Sequence, residues 1–212
     1  MHRLSIFILL AGLIFSGSCL AERSVENGDS TIASELVLVR DGRPTATIVV
    51  SDSPTDNARA AADELQKYIE RISGAKLPIA GDAVPAAGCM VLVGKSKLTD
   101  EIRDLDIPSG RTKNLREEGF IIRTYGDRLV LAGNDAEPYL GTRYAVIEFL
   151  HRLGVRWYMP GEMGEIIPKM PTVALKPVNI TQRPDFPMRD FWEHARGNMA
   201  EECAEWKIHN KM

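Results

Sequence analysis

From position 35 onward, apolar residues recur in blocks whose period switches between that of a strand and that of a helix. Leu36 to Arg40 and Thr45 to Val50 are β-rich runs on either side of Asp41-Gly42, a pair that tolerates positive φ, so the spacing predicts a hairpin. Ser53-Pro54-Thr55-Asp56 reads as a helix start, with Ser53 as N-cap and Pro54 at the first helical position, where no N–H is needed. The helix is expected to run to about Ser73, closed by Gly74. Ala58, Ala61, Ala62, Leu65, Ile69 and Ile72 form its apolar stripe, and Arg59, Glu64, Lys67 and Glu70 face out.

Lys76 to Ala80 reads as a short strand, residues 83–88 as a loop, and Cys89 to Val93 as a central strand, apolar throughout. Gly94-Lys95-Ser96 invites a phosphate-loop reading, but such a loop needs a glycine followed by four residues before Gly-Lys-Ser. Gly88 lies one residue too far away and strand formers intervene, so nucleotide binding is rejected. Leu98 to Glu118 reads as a short helix and an exposed loop. Residues 119–124 and 128–133 flank Tyr125-Gly126-Asp127 as a second hairpin. Val146, Phe149, Leu150 and Leu153 then mark one face of a helix that Gly154 ends, with Glu148, His151 and Arg152 on the other face. Val173 to Ile180 alternates as one more strand, Pro184-Asp185-Phe186-Pro187 marks a boundary, and Glu201 to Met212 reads as the opening of a helix.

The first 21 residues change the picture of where the chain goes. Arg3, an apolar run from Ile6 to Phe15, and small residues at 16–18 read as a secretory signal peptide, too short for a permanent membrane span. The expected destination is periplasmic or extracellular. Acylation of Cys19 is the rival, weakened by Ser16 where a bulky aliphatic is usual. Residues 22–34 read as a flexible mature N-terminus. A net charge of −3 gives no reason to expect nucleic acid, and the composition, 44% hydrophobic and 26% charged, is that of a globular chain. Cys89 and Cys203 fall in separate elements and are read as two free thiols.

Four stretches, AAADELQKYIERISGAKLPI, MVLVGKS, EGFIIRTYGDRLVLAGND and GTRYAVIEFLHRLGVRWYMPGEMGEIIP, resemble the N-terminal domain of glycoside hydrolases of the α-glucuronidase and β-hexosaminidase type. The resemblance is nearest to a bacterial group in which this domain precedes a larger hydrolase region, and it covers roughly Leu36 to Ile180. It implies an α+β fold, an antiparallel or mixed sheet with two main helices packed on one face, over residues 35–181. It further implies that 182–212 open a (β/α)₈ barrel, PDFPMRDFW as its first strand and EECAEWKIHNKM as its first helix. A complete barrel takes about 250 residues, so the catalytic carboxylates would lie on later strands, outside this chain. The implied partner is that barrel, with an oligo- or polysaccharide as its ligand and no cofactor or metal. The alternative is a stand-alone carbohydrate-binding or cell-surface module.

Candidate site residues follow. Glu162 and Glu165 are the tempting carboxylate pair, but nothing nearby promises the burial that raises a general acid's pKa, and solvated loop carboxylates are the favoured reading. The resemblance points to an arginine gripping sugar hydroxyls on the first barrel strand, a place that Arg189 or Arg196 would take. An interdomain ion pair is the plainer reading of both. Trp157 is the candidate for stacking on a sugar ring, against a buried corner next to Pro160. Trp192 and Trp206 stand in the same position. His151, His194 and His209 have no metal-ligand spacing.

Overall fold

The computed structural model describes residues 35–83, 88–109, 118–186, 188–190 and 196–212. The signal peptide, Cys19, the expected flexible N-terminus, Trp192 and His194 lie outside the described residues.

Strand β1 (Leu36–Arg40) turns back on β2 (Arg43–Pro44) through Asp41 and Gly42, both at positive φ, 50° and 71°. The predicted turn is present but its return strand is short. Pro44 has no N–H with which to extend a ladder, and after Thr45 the chain crosses into a different sheet as β3 (Ala46–Val50). Helix α1 (Asp56–Ser73) starts two residues later than the sequence suggests: Thr55 accepts the Ala58 N–H on its Oγ1 at 3.1 Å, while the Ser53 N–H is given to Ser51 Oγ. Gly74 closes it at φ 80°.

Next come β4 (Ile79–Gly81), β5 (Cys89–Val93) and the single turn α2 (Lys97–Asp100). The serine that imitated a phosphate loop caps that turn, since Ser96 and Thr99 exchange side-chain to backbone hydrogen bonds of 2.8 and 3.3 Å. The second hairpin, β6 (Phe120–Tyr125) and β7 (Arg128–Gly133), is present, with Tyr125 drawn into the strand opposite Arg128 and the turn shortened to Gly126-Asp127. Helix α3 (Gly141–Arg152) follows, then the short pair β8 (Arg156–Trp157) and β9 (Glu165–Ile166). The single strand expected at 173–180 is two: β10 (Val173–Leu175) pairs with β1, and β11 (Asn179–Gln182) pairs with β6. Pro177 lies between them and breaks the run.

The main sheet has six strands in the order β11-β6-β7-β5-β3-β4. It is mixed: β7, β5, β3 and β4 pair in parallel and β6 runs against its two neighbours. Alternation gives it two apolar faces. Ile48, Val91, Val93, Ile122, Leu129 and Leu131 join the large core under α1 and α3, whereas Val49, Leu92, Ile121 and Val130 pack on Leu98, Ile102, Leu105 and Ile107. The two main helices therefore share one face, as the resemblance implied. Helix α3 is buried beyond the predicted face, Tyr144, Ala145 and Ile147 included, although Arg152 stays exposed; it packs on the sheet and α1, and one more helix touches it.

That other helix is α4 (Asn198–His209). Its Cys203 and His209 are buried against the body that precedes it, and residues 33–212 group as one compact unit. Among the described residues of 184–190 there is no strand. Phe186 and Met188 stand exposed, and Arg189 curls the segment over by donating to the carbonyls of Phe186 and Lys211, both at 2.8 Å.

Candidate functional site

A cleft of about 490 Å³ opens between α1, the β8–β9 hairpin and α4. Each wall contributes from a fixed element. From α1 come Glu64 and Tyr68, four residues apart and so on one face of the helix. From α3 comes Arg143, from β8 Trp157, from β9 Glu165, and from α4 Glu205, Trp206 and His209.

Glu64 is the hub. One carboxylate oxygen is 3.0 Å from Arg143 Nε, the other 2.5 Å from His209 Nε2, so a single side chain on α1 holds α3 and α4. Burial alone would raise its pKa. The hydrogen bond from His209 and the charge of Arg143 outweigh burial and hold the carboxyl below its ordinary range. A carboxylate only accepts, so His209 presents an N–H at Nε2. Arg143 reaches on to Glu205 at 2.5 Å, and this pair and Glu64 hold its pKa up against burial.

Around this hub the aromatic rings are stacked. The His209 ring lies flat on Trp157, centroids 4.2 Å apart and planes 11° from parallel. Tyr68 meets Trp157 edge-on at 5.1 Å. The Trp157 Nε1–H donates to Tyr68 Oη at 2.8 Å, and that hydroxyl donates to Glu165 at 2.6 Å. Arg71 pairs with the other Glu165 oxygen. Burial and the Glu165 carboxylate push the Tyr68 hydroxyl well above its ordinary pKa, so it stays a donor. Glu165 is held low: burial opposes, but Tyr68 and Arg71 prevail.

Glycosidic general-acid work needs a carboxyl whose pKa is raised. Buried Glu64 and half-buried Glu165 are both lowered, and their hydrogen bonds fasten three helices and a hairpin. Asp135, beside a second depression at the ends of β5 and β7, is raised by burial. Its oxygens accept from the Thr142 N–H and hydroxyl at 3.1 and 2.7 Å and from Thr55 at 3.3 Å, which ties it to the first turn of α3.

The structure separates the three sugar-contact candidates. Trp157 is 4% exposed with His209 on one face, so it offers no open ring; the buried-corner reading describes it. The guanidinium of Arg189 is spent on two backbone carbonyls and an ion pair with Glu118. Arg196 stands exposed ahead of α4 and lines no part of the cleft. Glu162 is exposed, and Glu165 is engaged by Tyr68 and Arg71. Trp206 donates its Nε1–H to the Trp157 carbonyl at 2.9 Å.

Sequence reasoning missed Glu64, Tyr68, Arg143 and His209, and it placed Glu64 on the solvent face. Glu64 is 8% exposed. The available signal was Tyr68: a large aromatic one turn after Glu64 widens the buried stripe of α1 to that side.

Comparisons with known proteins agree with this architecture. No curated protein sequence matches the chain. Among solved structures, a novel family GH115 4-O-methyl-α-glucuronidase with specificity for decorated arabinogalactans superposes with a TM-score of 0.59 at 20% identity. The match covers 82% of this chain and 24% of that one, so the chain spans about a quarter of the length of the enzyme whose fold it shares. The glycosyl hydrolase family 67 N-terminus matches residues 38–145, more than half of the 212. By that match the chain belongs to the glycosyl hydrolase family 67 N-terminus, the N-terminal domain of α-glucuronidase-type glycoside hydrolases.

Proposed function

We propose that this chain is the non-catalytic N-terminal module of a secreted carbohydrate-active hydrolase that cleaves α-glucuronosyl linkages, and that the carboxylates that break the bond lie on a (β/α)₈ barrel which residues 182–212 begin. The match to the family 67 N-terminus over residues 38–145 is the observation that carries this reading. The cleft supports it chemically: Glu64 and Glu165 are held as carboxylates by cations, the opposite of what protonating a leaving oxygen demands. Secretion rests on the leader-like residues 1–21. Hydrolysis of this kind uses water and two carboxyl groups, with no cofactor.

The test is an assay on an aryl α-glucuronide, with the 212-residue chain beside the complete polypeptide encoded by its gene. Turnover is expected from the longer protein alone. Turnover by the 212-residue chain above a heat-inactivated control would place the chemistry here and overturn the reading, as would a coding sequence with no hydrolase domain after Met212.

A further inference from the structure

Where α3 ends and β8 begins, a depression of about 450 Å³ opens, lined by Glu148, His151 and Arg152 of the helix, by Arg156 and Tyr158, and by Asn210 at the end of α4. Its cations are anchored on one side and open on the other. Arg156 Nη1 donates to the carbonyls of His151 and Val155 at 2.6 and 2.7 Å, and its Nε and Nη2 have no partner among the described residues. Arg152 gives its Nε to Glu148 at 3.2 Å, and its two terminal nitrogens likewise have no partner among the described residues. Glu148 is taken from its other oxygen by Lys211 Nζ at 2.5 Å. One carboxylate therefore stands against three cations, and two fixed guanidiniums keep donors to spare.

The remaining groups are neutral. His151 rests against Trp157, ring centroids 5.2 Å apart. Burial, then the charge of Lys211, push it down to about 4, so at pH 7 its ring carries one N–H and one acceptor nitrogen. Asn210 spends its Nδ2 on the carbonyls of Trp157 and Trp206, at 3.3 and 2.9 Å, which leaves its side-chain oxygen as an acceptor. Tyr158 is 66% exposed. Guanidinium groups match the planar, two-oxygen geometry of a carboxylate. A neutral imidazole and an amide oxygen suit hydroxyl groups, which both give and accept, and an exposed tyrosine ring suits an apolar face. A bare inorganic anion would use only the first of these, and a neutral sugar only the others.

We propose that this depression binds a carboxylated sugar unit of an acidic polysaccharide, with the carboxylate on Arg152 and Arg156, hydroxyls on His151 and Asn210, and a ring face on Tyr158. That the ligand is an acid rests on the two guanidiniums; that it is a sugar rests on the module reading. The surplus of positive charge suits one negative group per sugar, and the spent Glu148 no longer repels it.

The test is calorimetric titration of the 212-residue chain at pH 7 with D-glucuronate, D-galacturonate, D-glucose, acetate and sulfate. At least one sugar acid is expected to saturate, with glucose, acetate and sulfate weaker by about tenfold. Arg152 and Tyr158 are both largely exposed, so R152Q and Y158A should fold as the parent does. R152Q should weaken the sugar acid about tenfold, and Y158A should weaken the sugar acid while leaving acetate unchanged. The His151 ring, followed by NMR, should titrate at higher pH with the acid bound, because a carboxylate offsets the cations beside it. Equal affinity for glucose would mean that no carboxylate is read, and equal affinity for acetate or sulfate would leave an adventitious ion only. Sugar-acid binding that neither variant weakens and that leaves His151 unmoved would lie elsewhere. Each of these overturns the proposal, and so does the absence of binding. Where the complete polypeptide still cleaves an aryl α-glucuronide, any of them leaves the module reading standing.

Discussion

Replacing Glu64 by Ala removes the one group that three helices share. Arg143 would keep only Glu205, which is half exposed, and an exposed pair contributes about 0–1 kcal/mol. His209 would keep its stacking on Trp157 and lose its acceptor. Breaking a buried ion pair from one side costs about 3–5 kcal/mol, because the remaining charge stays buried without compensation. At about 2–4 °C per kcal/mol for a domain of this size, the melting temperature should fall by roughly 6–20 °C. Glu64→Gln keeps the shape and can still accept from Arg143 and face His209, so its cost at pH 7 is expected to be smaller, about 1–3 kcal/mol.

The pH dependence separates charge from packing. The Glu64 pKa is lower in the folded protein than its ordinary value of 4.5, so the unfolded chain binds more protons just below that value. Stability rises with pH there, is fully present above about 4.5, and is lost as the pH falls through the folded value. Urea unfolding of the parent, E64Q and E64A across pH 3 to 8, followed by tryptophan fluorescence, should show a constant gap between parent and E64Q above 4.5. Below it the gap should close. A gap that is the same at every pH, or an E64A chain that unfolds within about 1 kcal/mol of the parent at pH 7, would refute the reasoning, since an exposed pair could do as much.

Two further outcomes follow from other parts of the fold. His151 is pushed down to about 4, by burial first and then by the nearby Lys211 charge, so between pH 4 and its ordinary 6.5 the unfolded chain takes up a proton that the folded one refuses. Stability should rise with pH across that window, and in H151Q the slope should flatten; an unchanged slope on urea titration would count against the assignment. A Cβ on Gly141 would lie 2.3 Å from the Asn134 nitrogen and 2.8 Å from the Gly119 carbonyl oxygen, backbone atoms hydrogen-bonded to each other at the ends of β7 and β6. Gly141→Ala should therefore cost about 3 kcal/mol, and a melting temperature within a degree of the parent would contradict the close approach of α3 to the sheet.

What could be read from the chain was what short-range chemistry dictates. The stripe and terminal glycine of α1, the apolar run of β5 and the turn at Gly126 are settled within a few residues of themselves, and each forms where its pattern lies. The errors share a different cause. The first hairpin fails after Pro44 because β3 finds better partners in β4 and β5, which are distant in sequence. Glu64 looked solvated because the groups that bury it, Arg143 and His209, lie 79 and 145 residues away. No local period records such a contact. Lysine, glutamate and arginine on the outer face of an amphipathic helix look the same whether water or another helix covers them.

Helix α4 gives that limit its functional weight. Its inner side, Cys203 and His209 with Trp206 beside them, is committed to the body through Glu64 and Trp157. Its outer side keeps Met199, Glu201 and Glu202 exposed next to the hairpin. Rotating α4 away from the body would part His209 from Glu64 and Glu205 from Arg143, while the Arg143–Glu64 pair between α3 and α1 would stay whole. An E64Q substitution is on that account expected to loosen α4 before the rest of the domain melts, with faster amide exchange in α4 than in α1 as the readout and equal exchange in the two helices as the result that would refute it.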